Sequence, residues 1–366
     1  MKPTAIEEID QNLKTTGISD RSRLQFFDIR QDPFRVYGLY DYRQQPAFVR
    51  MPQDVAKSVS PGVEVLSRNT AGGRVRFSTD SEVVVLHAVM PAVGRFSHMP
   101  LTGTAGFDLY IDDPESGVSR YWKTFVPPTD MDNGYESEIR FPSPKKRFIT
   151  IHFPLYSEVR DVLIGIDRDA DLSEGLTYRN ELPVVCYGSS ITQGGCASRP
   201  GNCYQNILAM QLHMDFLDLG FSGSGKAEDS MIGYLAELPM VAFISDYDHN
   251  APDAEHLKKT HYRLYEAIRK THPNIPYILL SRYDFFNSYY EENIERRDVI
   301  YETYRRARAA GDRNIYYIDG ASVFRGQYQE MCTVDGTHPN DLGFALLADA
   351  IGSELKVALT QNLQIR

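Results

Sequence analysis

Cysteine is scarce in this chain: four in 366 residues, at Cys186, Cys196, Cys203 and Cys332. No two of them have the two-residue spacing of a redox or zinc motif, and no cysteine–histidine spacing matches a zinc site. So few cysteines in so long a chain exclude a disulfide-stapled scaffold, and free thiols are expected, although Cys196 and Cys203 lie near enough to bridge within one loop. No stretch of about 18 apolar residues occurs, which excludes a membrane-spanning helix. Met1–Asp10 holds Glu7, Glu8 and Asp10 and lacks the apolar core of a secretory leader, so a cytoplasmic location is expected. Positive charge is also short. Lys and Arg number 39 against 49 Asp and Glu, a net charge of −10. The longest basic cluster is Lys145-Lys146-Arg147. A chain this acidic repels phosphate backbones and anionic lipid surfaces, which argues against nucleic-acid and membrane partners.

Apolar material is plentiful. Hydrophobic residues make up 42% and aromatic residues 11%, with 23 Tyr and 18 Phe beside a single Trp. At roughly 100–200 residues per domain, the length suggests two domains. From about Val36 to Asp167 short alternating runs predict strands at Val63–Leu66, Arg74–Phe77, Glu82–Ala88, Phe107–Ile111, Tyr121–Phe125, Glu138–Phe141 and Arg147–Phe153. Turn residues such as Asp112-Asp113-Pro114 separate them, the pattern of an antiparallel β-sandwich or jelly roll. From Pro183 the pattern becomes strand–helix alternation. Strands are expected at 183–187, 216–219, 241–244, 277–280 and 315–318. Helices are expected at 203–213, 229–238, 254–272, 290–310 and 341–359. That alternation predicts five parallel strands covered by helices on both faces. The domains are read as 1–175 and 176–366, with the boundary in the polar stretch Asp167–Glu181.

Ligands in such sheets bind beyond the carboxyl ends of the strands, so the residues following each strand carry the functional signal. The first strand is followed by Gly188-Ser189-Ser190-Ile191, the second by Gly220-Phe221-Ser222-Gly223, and the third by Asp246-Tyr247-Asp248-His249-Asn250. The last helix is preceded by Asp335-Gly336-Thr337-His338. This series, in this order, resembles the SGNH (GDSL-like) hydrolase family over about residues 183–358. The resemblance implies a flavodoxin-like three-layer α/β/α domain. It also implies a catalytic triad of Ser190, Asp335 and His338, with an oxyanion hole formed by Ser190, Gly223 and Asn250. Ser189 stands where the family usually has Asp, and Ala251 follows Asn250 where a second polar residue is usual. Upstream, Gly106-Phe107-Asp108-Leu109-Tyr110 resembles the Gly-x-Asp-Leu-Tyr signature of a domain that precedes some of these esterases.

The chemistry suits those residue types. A serine hydroxyl needs a base to take its proton, an imidazole does so near neutral pH, and a carboxylate three residues away can orient that imidazole. Plainer readings apply to several positions. Asn250 is a candidate N-cap for a helix beginning near Pro252. His249, Arg199 and Asn202 are candidate substrate contacts or ordinary loop residues. Asp246, Asp248 and His249 are too close in sequence to converge readily on one ion, so no metal site and no cofactor is expected. Trp122 reads as core or domain interface before it reads as a sugar platform. The expected activity is hydrolysis of short-acyl carboxylic esters of a small molecule or glycan, favouring O-acetyl carbohydrate. Two alternatives stay open: an acyltransferase or thioesterase with the same triad, and a non-catalytic carbohydrate-binding protein. Oligomeric state is not addressed by the sequence.

Overall fold

The computed structural model describes residues 9, 10, 15, 17–284, 290–326 and 328–361. Most of Met1–Asp10, read above as lacking a leader, lies outside the described residues. Ten strands build a sandwich. One sheet has the order β1-β9-β4-β7, from β1 (Leu24–Asp28), β9 (Asp161–Asp167), β4 (Val83–Val89) and β7 (Gly134–Arg140). The other runs β10-β3-β8-β5-β6, from β10 (Leu172–Glu174), β3 (Arg74–Thr79), β8 (Arg147–His152), β5 (Phe107–Asp112) and β6 (Ser119–Phe125). A short β2 (Arg35–Tyr37) pairs with β3. All these pairings are antiparallel, and the faces between the sheets are filled by residues such as Phe77, Leu86, Phe107, Ile149, Phe153 and Ile164.

The remaining five strands form a parallel sheet of order β12-β11-β13-β14-β15. They are β11 (Val184–Gly188), β12 (Phe216–Gly220), β13 (Ala242–Asp246), β14 (Tyr277–Leu280) and β15 (Ile315–Ile318). In chain order this is 2-1-3-4-5, the flavodoxin-like winding, so the expected architecture is what the chain adopts. Strands β11, β13 and β14 are buried along their whole length, as strands covered on both faces must be. Helices α4 (Tyr204–Leu212) and α8 (Asp341–Gln361) pack together on one face. Helices α5 (Asp229–Glu237), α6 (Ala254–Thr271) and α7 (Tyr290–Ala309) cover the other. Among the described residues no helix is long and apolar enough to cross a membrane. All four cysteines are free and buried.

One strand expectation is corrected, and strands β1, β2, β9 and β10 are additions to the expected set. Val63–Leu66 is not a strand but the end of helix α2 (Pro61–Leu66), which follows α1 (Gln53–Val59). Ser60 caps α2 by accepting the Val63 N–H at 3.2 Å, and Pro61 occupies its first turn. These local start signals override the apolar–polar alternation of Val63 to Leu66. Strand β9 was not anticipated because Gly165 interrupts its apolar run, yet it pairs with both β1 and β4. Its glycine gives room to the ring of Phe26 opposite, which lies 2.8 Å from where a Cβ would be.

The two halves share a buried polar seam. Arg50, 1% exposed, donates to the carbonyl of Gly220 at 2.5 Å and pairs with Asp218 at 3.5 Å, both on β12. Arg74 of β3 reaches Asp215 just ahead of the same strand. The short helix α3 (Leu101–Thr104) hydrogen-bonds through Thr102 to the Ser198 carbonyl at 2.7 Å.

Candidate active site

Strand β11 ends at Gly188, and the chain turns sharply through Ser189, Ser190 and Ile191. Any Cβ at Gly188 would collide with the Thr192 hydroxyl and the Asp246 carbonyl, so the bend requires glycine. The turn is pinned on several sides. Ser189 Oγ accepts the Ile191 N–H at 3.1 Å, and the Ser190 carbonyl accepts from Gly195 N at 2.9 Å. The Tyr156 hydroxyl, from the sandwich, donates to that same carbonyl at 3.0 Å. Thr192 donates to Asp246 at 3.0 Å, and burial pushes the Asp246 carboxyl up to about 8, so it holds a proton at neutral pH.

His338 arrives from the loop ahead of α8. Asp335 Oδ1 accepts the backbone N–H of His338 at 2.8 Å and of Thr337 at 3.0 Å, closing a tight turn. Its Oδ2 lies 2.7 Å from His338 Nδ1, and His338 Nε2 lies 2.9 Å from Ser190 Oγ. Burial alone would raise the Asp335 carboxyl, but the N–H donors of His338 and Thr337 and the imidazole outweigh it and hold it below the usual carboxylate value. An ionised Asp335 keeps the proton on Nδ1, which leaves Nε2 to accept from the serine. Residues far apart in sequence are thus joined in one hydrogen-bonded line.

Gly223 and Asn250 sit on neighbouring loops. The backbone of Gly223 has φ +66°, in the left-handed region, and a methyl there would meet no atom within 4 Å. The glycine therefore serves a turn conformation beside open space. Asn250 donates from Nδ2 to the Phe221 carbonyl at 2.6 Å, which ties the third-strand loop to the second. It does not cap a helix, because the N-cap of α6 is Asp253, whose side chain accepts from His256 N.

The other candidates are each held by neighbouring side chains. The His249 side chain is 4% exposed, and its Nε2 lies 3.1 Å from Asp284. Asp284 also accepts from Thr337 at 3.2 Å, so His249 braces the loop that carries His338. Arg199 pairs with Asp108 at 2.9 Å, also meets the Tyr110 hydroxyl, and stacks over Tyr121 at 3.9 Å. Asn202 donates to Ser198 Oγ at 3.3 Å. Arg199 therefore lies in the contact between the two halves. The Asp and Tyr of the Gly-x-Asp-Leu-Tyr signature are what it grips, and Asp108 accepts from Gly201 N at 2.9 Å as well. Trp122 packs on Phe141 at the sandwich surface, 36% exposed.

Three sandwich residues near Ser190 had no signal in the sequence: Tyr156, Phe96 and His98. The Phe96 ring meets Tyr156 edge-on at 5.2 Å, and the His98 ring lies 5.8 Å from that of His338. Their backbone segment is held by bridges from Val93 to Ser157 and from Phe96 to Met99.

Residues 181–356 match the GDSL-like lipase/acylhydrolase family, and residues 24–172 match the N-terminus of SGNH-hydrolase-type esterases. The chain is a hydrolase of the SGNH type, with a GDSL-like domain behind a β-sandwich of that kind. Among solved structures it resembles one from Bacteroides ovatus that bears the name GDSL-like lipase. The identity is 26% and the TM-score 0.81, over 94% of this chain and 99% of that one. It shares its fold with a salicylyl-acyltransferase from a tetracycline biosynthetic pathway, at 20% identity and TM-score 0.76, over 95% and 100% of the two chains. It also shares it with a family two carbohydrate esterase from Clostridium thermocellum in complex with cellohexaose, at 13% identity and TM-score 0.61, over 89% and 99%. No curated protein matches the chain.

Proposed function

We propose that this hydrolase cleaves short-acyl carboxylic esters through an acyl-enzyme on Ser190, with an O-acetylated carbohydrate as the substrate class. The observation that carries the reading is the unbroken line Asp335–His338–Ser190, with links of 2.7 and 2.9 Å. His338 Nε2 takes the Ser190 proton as Oγ attacks the ester carbonyl, and the imidazolium is stabilised by Asp335. The proton then passes to the leaving alcohol, the acyl group stays on Ser190, and a water activated by the same imidazole releases the acid. The negative oxygen of each tetrahedral intermediate is assigned to the N–H groups of Ser190 and Gly223 and to Asn250 Nδ2, whose bond to Phe221 keeps the amide in place.

The carbohydrate part rests on fold likeness to carbohydrate esterases. Among them is one from Cellvibrio japonicus at 11% identity and TM-score 0.58, beside the Clostridium enzyme above. The test is acetate release from acetylated xylo-oligosaccharides and acetylated monosaccharides by the full chain. Mass spectrometry of the quenched enzyme should show an acetyl group on Ser190. Acyl release only in the presence of an added alcohol or thiol acceptor would make the protein an acyltransferase instead.

A further inference from the structure

Two side chains beside His338, those of His98 and Cys196, have no part in ester hydrolysis as derived above. His98, Cys196 and His338 each present a ligand atom, and these atoms all lie within 4.8 Å of one another. Among the described residues this is the one set of three or more such groups gathered closely enough to hold a metal ion. The three come from separate parts of the chain. His98 is exposed on the sandwich segment held by the Val93–Ser157 and Phe96–Met99 bridges. Cys196 is 4% exposed, and its backbone N–H donates to the Pro339 carbonyl at 3.1 Å, which fastens it to the His338 loop. Among the described residues, neither Cys196 nor His98 has a side-chain hydrogen bond comparable to those that occupy His338.

One thiolate and two imidazoles form a ligand set for zinc and its thiophilic neighbours, and a poor one for calcium or magnesium. Three protein ligands leave a fourth position to water. Both nitrogens of His338 are engaged, Nδ1 with Asp335 and Nε2 with Ser190. A metal bound at either one must displace one link of the line. We propose that His98, Cys196 and His338 form a binding site for zinc or a similar thiophilic divalent cation, and that its occupation breaks the Asp335–His338–Ser190 line and switches the hydrolase off. The Cys196 thiol gives its proton to solvent as the metal–sulfur bond forms, and no redox change takes place. The sandwich would then supply a ligand to the control of a site built on the other half.

The effect on turnover rests on the hydrolase reading of Ser190, whereas binding itself does not. The full chain is therefore titrated with Co²⁺ as a spectroscopic stand-in for zinc, as wild type and as Ser190→Ala. Both should show a thiolate-to-cobalt charge-transfer band that added Zn²⁺ abolishes. Cys196→Ser should remove the band. His98→Ala, a change at an exposed position, should weaken binding by more than the roughly 10–100-fold that loss of an outer-shell partner costs. Zn²⁺ should inhibit wild-type ester hydrolysis, and both variants should need correspondingly more of it, each compared with its own metal-free rate. Absence of the band in wild type would overturn the proposal. So would equal zinc sensitivity of wild type and both variants. A band without ester hydrolysis under any condition would leave the metal site standing and remove the hydrolase reading instead.

Discussion

The carboxylate of Asp108 lies 2.9 Å from the guanidinium of Arg199, with no exposure of the acid and 22% of the base. The pair spans the two halves of the molecule, from β5 of the sandwich to the loop that follows Ser190. Burial pushes the Asp108 carboxyl up to about 6 even beside this cation, so at neutral pH the pair is charged. The seam thus holds the Ser190 loop from the sandwich side, together with the Tyr156 hydroxyl on the Ser190 carbonyl.

Removing Arg199 leaves the Asp108 carboxylate buried without its cation, with the Gly201 N–H still donating to it. Arg199→Ala is expected to destabilise the protein by about 3 kcal/mol, the low end for breaking a buried pair because the arginine is partly exposed. Urea unfolding measures it. A loss below about 1 kcal/mol together with a raised KM would instead make Arg199 a substrate contact.

Asn250→Ala should lower kcat by about 10²–10³ with little change in KM, as expected of a donor used mainly in the transition state. Steady-state kinetics decide it. A mutant that loses affinity and keeps kcat would place Asn250 in ground-state binding.

Asp335→Asn should preserve the fold and reduce kcat by up to about 10⁴-fold, because an amide cannot hold the Nδ1 proton and stabilise the imidazolium in the same way. The stopped or steady-state rate on an acetyl ester is the measurement. A loss of less than about tenfold would remove Asp335 from the triad.

Asp246 makes stability depend on pH. Its folded value, about 8, lies above that of an exposed carboxylate, so folding takes up a proton at any pH between the two. Stability should therefore fall as pH rises from about 4 through about 8. Asp246→Asn mimics the protonated acid and should flatten that decline. Melting temperatures of both proteins at about pH 5 and about pH 9 test it, and parallel declines would contradict the assignment.

Much of this was legible in the sequence, for reasons that can be located. The parallel sheet announced itself because its strands are buried on both faces and read as apolar runs between helical periods. The candidate triad stood out because Ser190 follows a strand and Asp335 and His338 precede a helix, where chain order maps onto one sheet edge. Val63–Leu66 misled because a cap and a proline decide a short segment more strongly than alternation does. β9 was hidden by Gly165, whose value lies in the Phe26 ring it accommodates and not in its own side chain. The seam and the cation site were hidden by distance. Arg199 finds Asp108, and Cys196 finds His98 and His338, only after the sandwich folds against the α/β half, and no local spacing encodes that contact.

The central claim is that Ser190 is the nucleophile. Hydrolysis of p-nitrophenyl acetate, butyrate and octanoate by wild type and Ser190→Ala tests it most directly. The account predicts a rate that falls with acyl length in the wild type and drops by about 10⁴-fold or more in the mutant, which keeps its fold. Substantial turnover by a folded Ser190→Ala protein would contradict it.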